Sequence, residues 1–196
     1  FAVALWLCFA ADVTWGYVYM TAGEGSFWLA DAFWILSYGL FGLALVQQFK
    51  ILHQPSARRL WSWVLVAILC LLAFTLAIYY LVTSQMPFPF SLNAAINSFY
   101  PAADFLMAVI ALRLIRHFQG GAFSRPWIGL LVFSFSDLLY AFLEASGMYA
   151  WSLEQGNLLT TITDVAYLGS YLVLGLGVLS MWLFLRYGLR MHPDAR

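Results

Sequence analysis

Apolar residues occur along this chain in six long runs that are separated by short, more polar segments. The runs cover Phe1–Met20, Phe27–Phe49, Leu60–Val82, roughly Leu92–Ile115, Pro126–Tyr149 and Leu158–Tyr187. A helix crosses the hydrocarbon core of a bilayer in about 20 mostly apolar residues. The pattern therefore predicts an all-α fold, a polytopic transmembrane helical bundle with six visible spans, and it makes the lipid bilayer the first expected partner.

The composition agrees with this interpretation. Of 196 residues, 64% are hydrophobic and only 9% are charged, whereas a soluble domain carries about 25% charged residues. Nine Lys and Arg residues balance nine Asp and Glu residues, and the zero net charge excludes nucleic acid as a partner. Cys8 and Cys70 both lie inside apolar runs, so we expect two small buried side chains and no disulfide framework.

The basic residues predict an orientation in the membrane. They lie between spans two and three, between spans four and five, and after span six, while the other three connections contain no Lys or Arg. Because positively charged loops stay in the cytoplasm, we expect the basic loops and the C-terminus to be cytoplasmic.

Acidic residues interrupt the apolar runs. They are Asp12, Asp31, Asp104, Asp137, Asp164 and Glu144. A charged Asp near the bilayer centre costs about 2.5–3.5 kcal/mol, and no Lys or Arg stands at mid-span to pair with these acids. We therefore expect the carboxyl groups to face the bundle interior, to be protonated, or to hold a cation.

Aromatic residues follow four of the aspartates at helical spacing. Position i+3 carries Trp15, Trp34, Tyr140 and Tyr167, and position i+7 carries Tyr19, Tyr38, Glu144 and Tyr171. Residues at i, i+3 and i+7 share one face of a helix, and indole and phenol groups donate hydrogen bonds without adding charge. The stripes predict a polar cavity; the alternative is that protonated acids only join helices by hydrogen bonds.

Asp104 has a different context, because Pro101 precedes it by three residues. A proline inside a helix frees a backbone carbonyl and kinks the helix. With Tyr100 and Asn97 on the same face, we expect Asp104 to turn toward helix contacts. The candidate ligand-binding residues are therefore Asp12, Trp15, Asp31, Trp34, Tyr38, Asp104, Asp137, Tyr140, Glu144, Asp164, Tyr167 and Tyr171.

No sequence pattern assigns a cofactor, a metal or a catalytic residue. The histidines lie at helix ends, the only lysine is Lys50 at the end of span two, and no paired-Cys metal motif is present. A retinal Schiff base needs a buried lysine, so a working rhodopsin is excluded.

The stripes also indicate an internal duplication. Asp12 and Asp31 in the first two spans correspond to Asp137 and Asp164 in the last two. Because the offset is four spans, both halves have the same orientation, as in transporters built from parallel repeats. We predict one transmembrane domain over 1–196, with repeat A at 1–49, a linker helix at 60–83 and repeat B at 91–188. The four aspartates are expected to converge on one pseudo-twofold axis, and a seventh span is expected before Phe1.

The last hundred residues resemble the seven-helix membrane input module of bacterial signalling proteins. The segments that carry the resemblance are Phe99-Tyr100-Pro101-Ala-Ala-Asp104, Ser136-Asp137-Leu-Leu-Tyr140, Gly147-Met-Tyr149 and Asp164-Val-Ala-Tyr167-Leu-Gly-Ser-Tyr171. In that family, diguanylate cyclase, PAS or histidine kinase domains follow the module. The resemblance implies a sensory role, a bacterial inner membrane and a cytoplasmic output domain beyond Arg196.

A fainter resemblance is to the lysoplasmalogenase family of multi-span hydrolases. It is carried by Asp12 in an early helix and by Ser136-Asp137 in a late one, and it implies acid–base hydrolysis of a vinyl ether by two facing carboxylates. That family has a His near the place of Asp31, so enzymatic activity is the less favoured interpretation.

We accordingly interpret the chain as an integral membrane sensory module that binds a small amphiphile or cation. The alternatives are a proton- or cation-coupled small-solute transporter, an intramembrane aspartate-based lipid hydrolase, and a structural subunit of a membrane complex. An output domain or a second copy of the chain is the expected protein partner.

We predict that Asp137 is protonated at pH 7 in the empty protein. It lies at mid-span without a basic partner, and Glu144 shares its face, so desolvation and like-charge repulsion both favour the neutral acid. Infrared spectra of Asp137→Asn should lose one protonated-carboxyl C=O band. An unchanged protonated-carboxyl region would mean that Asp137 is ionised.

Overall fold

The computed structural model describes residues 1–22, 28–83, 91–119, 121, 123–149 and 157–188. Within these ranges the chain forms six helices and no strand. They are α1 (Ala2–Ala22), α2 (Trp28–His53), α3 (Ala57–Thr83), α4 (Leu92–Phe118), α5 (Arg125–Ala145) and α6 (Leu158–Tyr187). All six are long and apolar enough to cross a membrane. The predicted all-α, polytopic fold is confirmed, and the chain is an integral membrane protein.

Helix α5 ends four residues earlier than the apolar run predicts, at Ala145 instead of Tyr149. Gly147 adopts φ +68°, a left-handed conformation that costs glycine little. Its N–H donates to the carbonyl of Glu144 at 3.0 Å, and the N–H of Met148 donates to the carbonyl of Leu143 at 2.9 Å. These two bonds form a Schellman motif, so the helix stops although the sequence stays apolar.

The start of α6 is capped by Asn157. Its Oδ1 accepts a hydrogen bond from the backbone N–H of Thr160 at 2.8 Å, and its Nδ2 donates to the carbonyl of Met148 at 3.1 Å. An N-cap side chain satisfies a backbone donor that has no partner inside the helix. Asn157 therefore fixes the first turn of α6 to the segment that follows α5.

The chain divides into two compact units, 1–99 and 100–196. The boundary falls inside α4, next to Pro101, which has no N–H for the helix ladder. Helix α1 packs against α2 in the first unit, and α5 packs against α6 in the second. The division into repeat A, linker helix and repeat B stays a prediction.

Small side chains mediate the contact between α1 and α2. Ala4, Cys8 and Ala11 are completely buried at positions i, i+4 and i+7 of α1, which share one helix face. The Sγ of Cys8 donates to the Oγ of Ser37 at 3.1 Å, so this buried thiol also makes a polar contact between the helices.

Backbone contacts join α5 and α6 near Arg125. Gly129 lies directly against the backbone of Leu174, and a Cβ at Gly177 would lie 2.7 Å from the carbonyl oxygen of Arg125. The guanidinium of Arg125 also donates to the Oγ of Ser180. Glycine at both positions lets the two helices approach without an intervening side chain.

The two helix pairs bury equivalent positions when Asp12 is matched to Asp137 and Asp31 to Asp164. The equivalent buried pairs are Ala4 and Gly129, Cys8 and Phe133, Ala11 and Ser136, Ala30 and Thr163, Ser37 and Ser170, and Phe41 and Leu174. Even one hydrogen bond is repeated: Ser37 Oγ donates to the carbonyl of Trp34 at 2.7 Å, and Ser170 Oγ donates to the carbonyl of Tyr167 at 2.6 Å.

Helix α3 has no buried residue among its described side chains. Cys70 on this helix is exposed, so the expectation that both cysteines are buried is wrong for Cys70 and correct for Cys8. The reason is that an apolar side chain in a membrane helix is equally compatible with lipid and with the protein interior.

Gly177→Ala is expected to destabilise the protein, and Gly175→Ala is the matched control. The new methyl at position 177 meets the backbone of Arg125, and overpacking costs about 1–3 kcal/mol. A methyl at position 175 meets nothing within 4 Å, so it should raise stability by up to about 1 kcal/mol through helix propensity. Unfolding by SDS in mixed micelles measures both changes; equal effects would contradict the close approach.

Candidate functional site

Acidic and tyrosine side chains meet where α5 ends and α6 begins, which we call the turn end of the α5–α6 pair. The acid–tyrosine cluster consists of Asp137, Tyr140, Glu144, Tyr149 and Asp164. Tyr140 interacts electrostatically with each of the other four members. Four sequence-predicted residues of α5 and α6 are therefore brought together within one unit of the chain, whereas Tyr167 and Tyr171 lie outside the cluster.

A hydrogen bond between Tyr149 and Asp164 connects the two sides of this cluster. The phenol of Tyr149 donates to Asp164 Oδ1 at 2.7 Å. The rings of Tyr140 and Tyr149 meet edge to face, with centroids 4.9 Å apart and planes at 72°. Burial raises the pKa of Tyr149, and the hydrogen bond to Asp164 and the charges of Asp164 and Glu144 raise it further. Tyr149 is therefore held as a neutral donor toward the carboxylate.

A further group of aromatic side chains, which we call the aromatic layer, lies beyond Asp164 along α6. The hydroxyls of Tyr167 and Tyr171 are 2.9 Å apart and share a hydrogen bond. The Phe133 ring on α5 lies 5.9 Å from the Tyr167 ring and 5.4 Å from the Tyr171 ring. Beside them, Ser134 Oγ is fully buried and receives no hydrogen bond from the described residues. The layer supplies aromatic faces and hydroxyl groups next to Asp137 without adding charge.

The acids differ in burial. Asp137 is half-buried, whereas Glu144 and Asp164 are exposed. The expectation that these acids face the bundle interior, are protonated or hold a cation stays a prediction. Asp164 accepts a hydrogen bond from a neutral phenol beyond the end of α5. The protonation of Asp137 stays a prediction.

The candidate residues of the first unit lie along α1 and α2. Asp12, Trp15, Asp31 and Trp34 are half-buried, while Tyr38 is buried and its ring meets Phe99 edge to face at 5.8 Å. The Trp15 ring stacks on Tyr19 at 5.3 Å and 11°.

Asp12 and Asp31 lie at about the same level of the α1–α2 pair. Cys8 contacts Ser37 across the pair, and the two consecutive helices run antiparallel. Asp12 lies four residues after Cys8, and Asp31 lies six residues before Ser37, so at the helical rise per residue their levels differ by about 3 Å. Convergence of these residues with Asp137 and Asp164 on a common axis stays a prediction.

Asp104 is 1% exposed, which confirms that it turns toward helix contacts. It begins a buried stripe with Met107, Ala111 and Leu114 at i+3, i+7 and i+10, the spacing of one helix face. Asn97, expected on the same face, is exposed.

Tyr149 is the functional residue that sequence reasoning misses. The apolar run assigns it to the end of a helix, whereas the left-handed Gly147 ends α5 first and leaves Tyr149 free to reach α6. The only sequence signal for this arrangement is the Ser146-Gly147 pair at the end of the run, a common helix stop.

The acid–tyrosine cluster combines carboxyl groups with aromatic rings. Across the described ranges no three His, Cys, Asp or Glu side chains converge as metal ligands. What the cluster offers instead is carboxylate oxygens beside tyrosine rings, and the face of an aromatic ring attracts cations.

No protein-family model, no characterised protein and no solved structure matches this chain. The resemblances to seven-helix input modules and to lysoplasmalogenases therefore stay predictions, and the functional argument depends on the geometry of the site.

Tyr149→Phe is expected to make folding less sensitive to alkaline pH. The folded-state pKa of Tyr149 is raised, so the folded protein holds the phenolic proton more tightly than the unfolded chain does. The tighter proton binding therefore stabilises the folded state fully below about pH 10, the pKa of Tyr in the unfolded chain. This stabilisation is lost as the pH rises further. One proton contributes at most about 1.4 kcal/mol per pH unit, and solvent screening reduces this value because Tyr149 is only half-buried.

The measurement compares the free energy of unfolding at pH 8 and pH 11. Tyr80→Phe is the control, because Tyr80 is 71% exposed. If both variants lose alkaline sensitivity to the same extent, Tyr149 has no special role.

Proposed function

We propose that this chain is a sensory, ligand-binding membrane module whose acid–tyrosine cluster binds the cationic head group of a small amphiphile. The observation that carries the proposal is uncompensated acidity. The α5–α6 pair carries Glu144 and Asp164 toward its turn end and Asp137 nearer the middle of α5, and positions 126–185 contain no Lys, Arg or His. A bound cation would balance the acidic charge at the turn end, to which α5 and α6 contribute no basic side chain between positions 126 and 185.

The chemistry of recognition follows from the side chains. Asp164 would offer a carboxylate to the head group, and the rings of Tyr140 and Tyr149, which contact each other edge to face, would offer aromatic surface to the cation. An amphiphile tail would lie along the exposed apolar side chains of α6, where Val165, Leu168 and Leu172 are 66%, 65% and 69% exposed. Entry from the bilayer would therefore need no closed cavity.

Signalling would follow from the same geometry. We place the basic ends of the helices in the cytoplasm, in line with the positive-inside rule. Helix α6 continues as one helix from Asp164 to Tyr187, so a displacement at the turn end would be carried to its opposite end. An output domain or a second copy of the chain would respond there.

A proton- or cation-coupled transporter is the second candidate function. The observation that favours it is the equivalence of α1–α2 and α5–α6 in buried positions and in the Ser37 and Ser170 hydrogen bonds. Many secondary transporters are built from structural repeats with a substrate site near the middle of the bilayer.

Calorimetric titration with octyltrimethylammonium tests the proposed function. Protein in lipid nanodiscs should bind this cation saturably above the background of empty nanodiscs, and anionic octyl sulfate should not bind. The double variant Asp164→Asn/Glu144→Gln should lose at least about tenfold in affinity, equivalent to about 1.4 kcal/mol.

Asp194→Asn is the matched control, because it makes the same chemical change at an acid that lies outside the six apolar runs and outside the candidate ligand-binding residues. It should leave binding at the acid–tyrosine cluster intact. Unchanged affinity in the double variant would contradict the proposal. Accumulation of the cation by proteoliposomes under an imposed pH gradient would favour the transporter instead.

A further inference from the structure

The α5–α6 pair is joined in different ways at its two ends. Near Arg125 the contact is between backbones, because Gly129 lies against Leu174 and Gly177 lies against the carbonyl of Arg125. Close-packed backbones of this kind cannot slide apart without losing the whole contact surface. We call this region the glycine contact.

At the turn end, side-chain hydrogen bonds hold the pair together. Tyr149 donates to Asp164 at 2.7 Å, and Asn157 donates to the carbonyl of Met148 at 3.1 Å; both bonds are exposed. An open depression of about 480 Å³ lies here, and the described residues that line it are Gly147, Met148, Asn157, Leu158 and Leu159.

Tyr149 is fixed to α5 and does not belong to a loose connection. Its backbone N–H donates to the carbonyl of Leu143 at 3.1 Å, and the Schellman bonds of Gly147 and Met148 precede it. The direction of the phenol is therefore set by the end of α5. The Tyr149–Asp164 bond therefore connects the end of α5 itself to α6.

We propose that the Tyr149–Asp164 hydrogen bond is a latch, and that breaking it lets the turn ends of α5 and α6 separate about the glycine contact. The latch deepens the proposed function and rests on it in one respect: a cation at Asp164 competes with the Tyr149 phenol for the same carboxylate. Ligand binding and helix separation would then be the two results of one exchange of partners.

Distances between spin labels test the latch in the full chain in nanodiscs. One label pair, at Phe142→Cys and Ile162→Cys, reports the turn end, and another, at Ile128→Cys and Leu179→Cys, reports the glycine contact. All four side chains are exposed, at 61%, 49%, 39% and 48%. Cys70→Ser removes the exposed native thiol, and the buried Cys8 stays in place.

Tyr149→Phe should lengthen the mean distance at the turn end by about 2 Å or more, the scale of helix shifts in switching proteins. The distance at the glycine contact should stay unchanged. Asp164→Ala should have the same effect, and the double variant should add nothing beyond either single change. Tyr187→Phe, the same chemical change at the far end of α6, is the control and should alter neither distance.

An unchanged turn-end distance in Tyr149→Phe, or equal lengthening at both ends, would overturn the latch. Octyltrimethylammonium separates this outcome from the proposed function. If Tyr149→Phe separates the helices but the cation does not bind, the latch stands and the proposed function fails. If the cation binds but Tyr149→Phe separates nothing, the latch fails and the proposed function stands.

Discussion

A carboxyl group in a membrane helix without a basic neighbour has to take its hydrogen bonds from uncharged donors. In the α5–α6 pair the donor for Asp164 is the phenol of Tyr149, which stands beyond the end of α5. The chain reaches that position only because Gly147 ends the helix in a left-handed turn, and Asn157 then fixes the start of α6 beside it. The helix end, the cap and the ring contact of Tyr140 all follow from this one requirement.

The two helix pairs share one register of buried positions but differ in their polar contacts. Cys8 and Ser37 form a polar contact across α1–α2, whereas the equivalent Phe133 and Ser170 lie within an aromatic layer of α5–α6. Equivalent positions are buried in both pairs although their chemistry differs. This pattern indicates that the two pairs share their packing geometry and differ in their polar contacts.

The sequence predicts the helices well, because membrane spans are recognised by length and apolarity. It fails at the end of α5, where Met148 and Tyr149 continue the apolar run past the glycine turn. The sequence correctly predicts that Asp104 is buried. It wrongly predicts that Cys70 is buried, because lipid and the protein interior favour the same apolar side chains. The pairing of Tyr149 with Asp164 was beyond sequence reasoning, since it depends on the direction in which the chain leaves a helix.

Ser37 and Ser170 have a consequence for the mechanics of their helices. Each hydroxyl donates to a carbonyl three residues earlier, in competition with the N–H that the helix ladder directs to the same oxygen. Hydroxyl groups that bond backward in this way bend helices. The carbonyls that accept these bonds belong to Trp34 and Tyr167. We therefore expect each helix to bend at the residue that carries this aromatic ring. A small bend there would re-aim the aromatic ring without unwinding a turn of the helix.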